Sequence, residues 1–170
     1  MYWKSKIDFN QEELDMLNAF ATKHLHSSEE AVPNALQQFP FATQKVHDLL
    51  NEYLSKDYVK YLVQSWSIYI PKGDFIPYNP HQHGYCHLSF IFYTKNTGEN
   101  PLVLRDNSSL EFKLNLKTND FIILPREQVH MVEAGEAKSD RISFAGDILL
   151  TEREYKSSLF LPPKNIWQEL

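Results

Sequence analysis

Residues 119–147 read NDFIILPREQVHMVEAGEAKSDRISFAGD, and this stretch decides what kind of fold the chain adopts. Its three runs, FIILP, VHMVEA and RISFAGD, are short, rich in β-branched and apolar residues, and separated by polar turn formers. Runs of that length are too brief for helices and the right size for strands. The same texture extends outward. YLVQSWSIYI (61–70) ends at Pro71-Lys72-Gly73-Asp74, and HLSFIFYT (87–94) is closed by Asn96-Thr97-Gly98. PLVLR (101–105) and LEFKLNL (110–116) follow, and the last run continues as RISFAGDIL to residue 149. Turn signals roughly every ten residues predict an antiparallel sandwich or jelly roll.

The first third has a different period. Asn10 with Glu13 three residues on has the pattern of a capping box, and Leu14, Leu17, Phe20 and Ala21 then recur at helical spacing. Pro33 and Pro40 punctuate a short second segment. Thr43 is the expected cap of another helix, on which Val46, Leu49, Leu50, Tyr53 and Leu54 make one apolar stripe. The reading is therefore a mainly β chain with N-terminal helices packed on a jelly roll. One domain spans 1–170, with a helical support region (1–60), a jelly-roll core (61–150) and a C-terminal strand or tail (151–170) containing KSSLFLPPKNIWQEL. A chain of 170 residues buries enough surface to fold without a disulfide or metal as a staple.

Composition narrows the partners. Cys86 is the single cysteine, so no intrachain disulfide forms and a reducing, cytoplasmic location is expected. The net charge is −5, and Lys and Arg cluster in nothing longer than a pair, so no nucleic-acid partner is expected. MYWKSKIDFNQEELDML has no apolar signal segment, and no run approaches the ~20 apolar residues of a membrane helix. A small-molecule or protein substrate is the remaining expectation, and the oligomeric state is left open.

Histidines carry the chemical signal. Of seven, three crowd into NPHQHGYCH (79–87): His81, His83 and His87. In extended backbone, residues i and i+2 share a face, so His81 and His83 set two imidazoles side by side as ligands for one ion. His130, at the start of VHMVEA just after a proline-bounded strand, is the best distant third ligand. His24, His26 and His47 lie in the helical region and read as ordinary histidines.

WSIYIPKGDFIPYNPHQHGYCHLSFIFYT (66–94) and the 119–147 stretch together resemble the 2-oxoglutarate and iron(II)-dependent oxygenases, which share the double-stranded β-helix of prolyl hydroxylases. The resemblance covers about residues 60–150. Members carry an early His-x-Asp/Glu, a distal His and, some ten residues on, an Arg. Here these correspond to His81-Gln82-His83, His130 and Arg141, and Arg141-Ile142-Ser143 resembles the Arg-x-Ser pair that holds the far carboxylate of 2-oxoglutarate. The resemblance implies Fe(II) on His81, His83 and His130, with 2-oxoglutarate as co-substrate held by Arg141 and Ser143. It implies a hydroxylase that oxidatively decarboxylates 2-oxoglutarate to succinate, acting on a small-molecule, amino-acid or peptidyl substrate. Tyr69 stands where prolyl-hydroxylase-like relatives place a tyrosine that touches the 2-oxo acid.

The physical chemistry is consistent with that pattern. Three ligands on one face of an iron ion leave three positions, two for a chelating 2-oxo acid and one for O₂. A guanidinium grips the remote carboxylate through two parallel charge-assisted bonds, which a lysine cannot make. Ser143, two residues from Arg141, shares its face of the strand. The departure is His83, which stands where the pattern has a carboxylate and leaves the site one charge more positive. Three readings stay open: His83 is a ligand, His83 swings away, or a carboxylate such as Asp74 or Asp106 folds in. His87, nominally on the same face, is a further candidate to line the cavity.

Two other functions compete. A three-histidine cupin that uses no 2-oxoglutarate shares the jelly roll. Pro125-Arg126-Glu127-Gln128-Val129-His130 follows its second motif except that Glu127 replaces a glycine, and His87 stands near the place of the cupin glutamate. That reading leaves Arg141 and Ser143 without a role. A metal-free jelly-roll binding module is the other.

Overall fold

Two long strands, β2 (Tyr58–Ile70) and β10 (Arg141–Glu152), pair antiparallel from Arg141↔Ile70 to Glu152↔Tyr58 and form the spine of the protein. The structure is a computed structural model and describes residues 2–23, 34–54, 58–106, 108–152 and 168–170. Beyond β10 lie β4 (Leu88–Lys95), β7 (Asp120–Pro125) and β1 (Trp3–Lys6), and β11 (Gln168–Glu169) pairs with the outer side of β2. The six-stranded sheet thus has the order β1-β7-β4-β10-β2-β11, antiparallel throughout. A second sheet, β6-β5-β8, consists of β5 (Leu102–Arg105), β6 (Glu111–Leu114) and β8 (Val129–Val132). β3 (Phe75–Ile76) and β9 (Gly135–Glu136) form a two-stranded ribbon. This is the expected mainly β jelly roll with N-terminal helices.

The period of two along each central strand sorts residues into two cores. Phe90, Phe92, Phe121, Ile123, Ile142, Phe144 and Ile148 face the helices. The intervening Ile91, Tyr93, Ile122, Leu124 and Ala145 face the smaller sheet and meet Leu102, Leu104 and Leu116. With both faces covered, β4 from Leu88 to Thr94 is buried without a break. Phe144 is the centre of the helix-side core, stacked on Phe92 at 5.3 Å and flanked by Phe20 and Phe39 at 6.3 Å. Gly146 is required by close approach, since a Cβ there would stand 2.6 Å from the ring of Phe90.

Helix α1 (Gln11–Lys23) begins with the expected capping box. Asn10 Oδ1 accepts from the Glu13 N–H and Glu13 Oε2 accepts from the Asn10 N–H, both at 2.9 Å. Helix α2 (Pro40–Tyr53) buries Val46 and Leu50, with Leu49, Tyr53 and Leu54 packed beside them. Its start differs from the sequence expectation. Pro40, which has no N–H to satisfy and a preset φ, opens the helix after Phe39, while the Thr43 hydroxyl donates back to the carbonyls of Leu36 and Phe39.

The support region is not wholly helical either. β1 adds an edge strand beside β7, and Lys4 and Lys6 reach the buried carboxylate of Asp120 at 3.1 and 2.6 Å. β2 likewise begins at Tyr58, before the boundary drawn at 60. In the C-terminal segment the end of β10, the short β11 pairing and Leu170 fall within the described residues, and the expectations for His24, His26 and most of KSSLFLPPKNIWQEL lie outside them.

Candidate metal centre

His81 and His130 are brought together by backbone. An isolated antiparallel bridge joins them, the His81 N–H donating to His130 O at 3.0 Å and the His130 N–H to His81 O at 2.9 Å. Their rings lie 4.5 Å apart, and His83, two residues on, brings a third ring to 5.3 Å from His81 and 5.2 Å from His130. One ligand nitrogen from each of the three lies within 4.8 Å of the others. His81 is exposed at the mouth, whereas His83 and His130 are buried.

Each imidazole is oriented by a bond at its far nitrogen. Nδ1 of His81 meets Asn79 O at 2.9 Å, and Nδ1 of His130 meets Gln128 O at 3.0 Å. Nδ1 of His83 meets Asp147 Oδ1 at 2.8 Å. Carbonyl and carboxylate oxygens only accept, so each Nδ1 carries the proton and each Nε2 presents a lone pair. Nε2 of His83 is buried and has no hydrogen-bond partner among the described residues, an arrangement that a bound metal ion satisfies. Burial pushes His130 down to about 4, against the opposing bond to Gln128 O and with help from His81 and His83, so it is neutral at neutral pH, the state that binds metal.

The same cavity continues to Arg141 and Ser143. It is lined by His81, His83, His130, Arg141 and Ser143 together with an apolar wall that includes Trp66, Ile68 and Met131. Arg141 is only 4 % exposed. Its guanidinium donates to Ser143 Oγ and to the Tyr93 hydroxyl, both at 3.2 Å, and stands 4.9 Å from the Tyr93 ring centroid. Since both oxygens accept from the arginine, both hydroxyl protons are free to point at an anion. Arg141 Nε is buried without a partner. Burial raises the Tyr93 phenol despite the neighbouring guanidinium, which keeps it a hydroxyl donor.

The expectation for Tyr69 is corrected here, and two open alternatives, His87 and a distant carboxylate, do not hold. Tyr69 does not line this cavity. It pairs with Ile142 on the helix-facing side of the sheet and packs against that core, whereas Trp66 and Ile68, of the opposite parity, line the cavity. The tyrosine beside the arginine is Tyr93, which sits opposite Ser143 in the β4–β10 register. His87 also turns away, since its Nδ1 accepts from the Leu150 N–H at 2.9 Å. Asp74 and Asp106 do not fold in. Both are exposed, and Asp106 accepts from Ser108 and from the Leu110 N–H in its own turn.

The carboxylate nearest the cluster is Asp147, which sequence reasoning did not single out. It is fully buried, and it accepts from Ser89 Oγ (2.8 Å), Gln64 Nε2 (2.7 Å), Tyr85 OH (2.8 Å) and the Cys86 thiol (3.6 Å) besides His83. Burial alone raises its pKa, but the bonds from His83 and Gln64 outweigh this and hold the carboxyl below its usual range. The thiol of Cys86 is pushed up to about 11 by burial, and the Tyr85 phenol rises for the same reason and through Asp147, so both remain neutral donors. The one signal in sequence was parity: Asp147 stands four and six residues past Ser143 and Arg141, on their face of the strand.

No protein-family model matches the chain, and no curated protein matches it in sequence. Solved structures do match in shape. The non-haem alpha ketoglutarate-dependent epimerase SnoN from nogalamycin biosynthesis superposes with a TM-score of 0.66 at 14% identity, over 87% of this chain and 77% of that one. A Pseudomonas putida prolyl-4-hydroxylase gives 0.57 at 14% identity, over 89% and 88%. HygX from Streptomyces hygroscopicus, solved with nickel and 2-oxoglutarate, gives 0.63 at 9% identity, over 88% and 82%. At such identities the likeness concerns the fold, and the fold of this chain is the double-stranded β-helix that these structures share.

Proposed function

We propose that this protein is an Fe(II)- and 2-oxoglutarate-dependent oxygenase, acting as a hydroxylase. The observation that carries the reading is the sharing of one cavity by a three-histidine cluster and a buried arginine whose own partners leave it able to bind an anion. His81, His83 and His130 would hold the iron through their Nε2 atoms. Arg141, with the hydroxyl protons of Ser143 and Tyr93, would hold the far carboxylate of 2-oxoglutarate. Iron and the 2-oxo acid are the groups bound by the fold neighbours, as in the structure of SnoN with Fe³⁺, alpha ketoglutarate and nogalamycin RO. When bound, they supply oxidative decarboxylation: 2-oxoglutarate, O₂ and R–H become succinate, CO₂ and R–OH.

The rest is the work of the chain. Trp66 stacks on His83 with ring centroids 5.6 Å apart and planes within 10°, fixing that imidazole from the side while Asp147 fixes it from behind. Leu102 and Met131, both buried, exclude water from one part of the wall, which strengthens the electrostatic contacts there. The exposed His81 marks the side from which a substrate enters.

A three-histidine cupin reading accounts for the ligands, but leaves Arg141 buried in the cavity without a counter-ion among the described residues. A metal-free binding module leaves His83 Nε2 unsatisfied. The test is succinate formation from 2-oxoglutarate by protein loaded anaerobically with Fe²⁺ and then exposed to O₂. Succinate that requires both iron and Arg141 supports the proposal. Tightly held metal with no binding of 2-oxoglutarate favours the cupin, and no metal at all removes both enzymes.

A further inference from the structure

Asp147 is a buried carboxylate without a lysine or arginine partner among the described residues. Gln64, Tyr85, Ser89 and Cys86 are all neutral, and the one partner able to carry positive charge is His83. Leaving a carboxylate in such a place is costly unless a cation stands close by. The His83 ring links Asp147 to the other two histidines: Asp147 holds it by Nδ1 at 2.8 Å, and the buried Nε2 is left as the ligand atom. Four neutral donors fix the carboxylate, and Trp66 fixes the ring plane, so this pair is held at both ends.

We propose that Asp147 is a positioning residue that restores, one shell out, the negative charge that His83 removes from the ligand set. The inference rests on the metal site assigned above. An ion bound to three neutral imidazoles carries its full two positive charges, whereas the same ion with Asp147 behind His83 leaves a net of one. That is the total a site reaches when one ligand is itself a carboxylate. The hydrogen bond also draws the Nδ1 proton toward Asp147 and makes Nε2 a stronger donor to the metal. His83 therefore stands in for the carboxylate only as a pair with Asp147, which the β4–β10 pairing of Asp147 with Ser89 brings to its place.

The test is cobalt(II) binding by the full-length protein, followed by calorimetry and by the visible absorption of the ion, in the wild type, Asp147→Asn, His83→Ala and the double variant. Asp147→Asn keeps the shape and removes the charge, and it is expected to weaken cobalt binding by roughly 10- to 100-fold and to alter the visible spectrum. In the His83→Ala background the same change should add less than about threefold, because Asp147 acts through that ring. An unchanged affinity in Asp147→Asn, or an equal loss with and without His83, overturns the proposal. Failure of the wild type to bind cobalt overturns the metal site as well. If a variant fails to fold, nitrogen-15 NMR of the wild type loaded with Zn²⁺ decides instead. His83 coordinated through Nε2 with a proton on Nδ1 is the expected signature, and His83 uncoordinated, or coordinated through Nδ1, is the opposing one.

Discussion

Replacing Arg141 by alanine should weaken 2-oxoglutarate binding by two orders of magnitude or more while leaving metal binding nearly intact. Arg141 is 4 % exposed, so a carboxylate opposite it exchanges water for the guanidinium and the two hydroxyls that the guanidinium orders. Removing one partner of a buried charge pair costs about 3–5 kcal/mol. The cavity opens toward the exposed His81, which lets water reach the orphaned carboxylate and favours the lower end of that range. About 3 kcal/mol corresponds to roughly 100-fold in affinity. Arg141→Lys keeps a charge but not the planar fork, and should lose about tenfold. The assay is anaerobic calorimetry of 2-oxoglutarate into Mn²⁺-loaded protein, with metal content measured in parallel. Pyruvate, a 2-oxo acid without the far carboxylate, is the control: it should bind the wild type weakly and lose nothing further in Arg141→Ala. If Arg141→Ala binds 2-oxoglutarate within threefold of the wild type, or loses pyruvate to the same degree, the carboxylate does not sit on Arg141.

Tyr93→Phe should raise the dissociation constant of 2-oxoglutarate by roughly 10- to 100-fold, the worth of one hydrogen bond to a charged group, and Tyr69→Phe should leave it unchanged in the same titration. Metal-free protein should lose stability as pH falls from 6.5 toward 4. In that window the unfolded chain protonates the residue at position 130 while the folded state, with His130 at about 4, does not. The loss from this group reaches about 3 kcal/mol at pH 4 and flattens below, and urea titrations of wild type and His130→Gln should differ in slope only there. Phe144→Ala removes the ring stacked between Phe92, Phe20 and Phe39. It should cost about 3–5 kcal/mol, lowering the thermal midpoint by ~10 °C.

Much of this protein is local, and what is local can be read along the chain. The longer strands from 61 to 149 are legible because each alternates or runs apolar between turn residues, a pattern that needs no partner to be recognised and that the two-residue β3 and β9 lack. The capping box of Asn10 and Glu13 is equally self-contained, since its two hydrogen bonds span three residues. His81 and His83 point to shared chemistry through their spacing alone. Where two local solutions compete, sequence is a poorer guide. Thr43 has the chemistry of a cap, but Pro40 has the geometry of a first turn and wins the helix start.

What tertiary structure decided is which distant residues meet. β1 is four residues long and carries no decisive pattern; it is a strand because the edge of β7 offers it hydrogen bonds and Asp120 offers its lysines a counter-charge. Sequence resemblance points to Tyr69, but strand register puts Tyr93 opposite Ser143 and beside Arg141, and Tyr69 on the other face. Asp147 becomes the partner of His83 across 64 positions of chain. Residue types and spacing point to an ion site, but the charge behind the proposed site is set by pairings between strands, and no stretch of sequence contains both ends of such a pair.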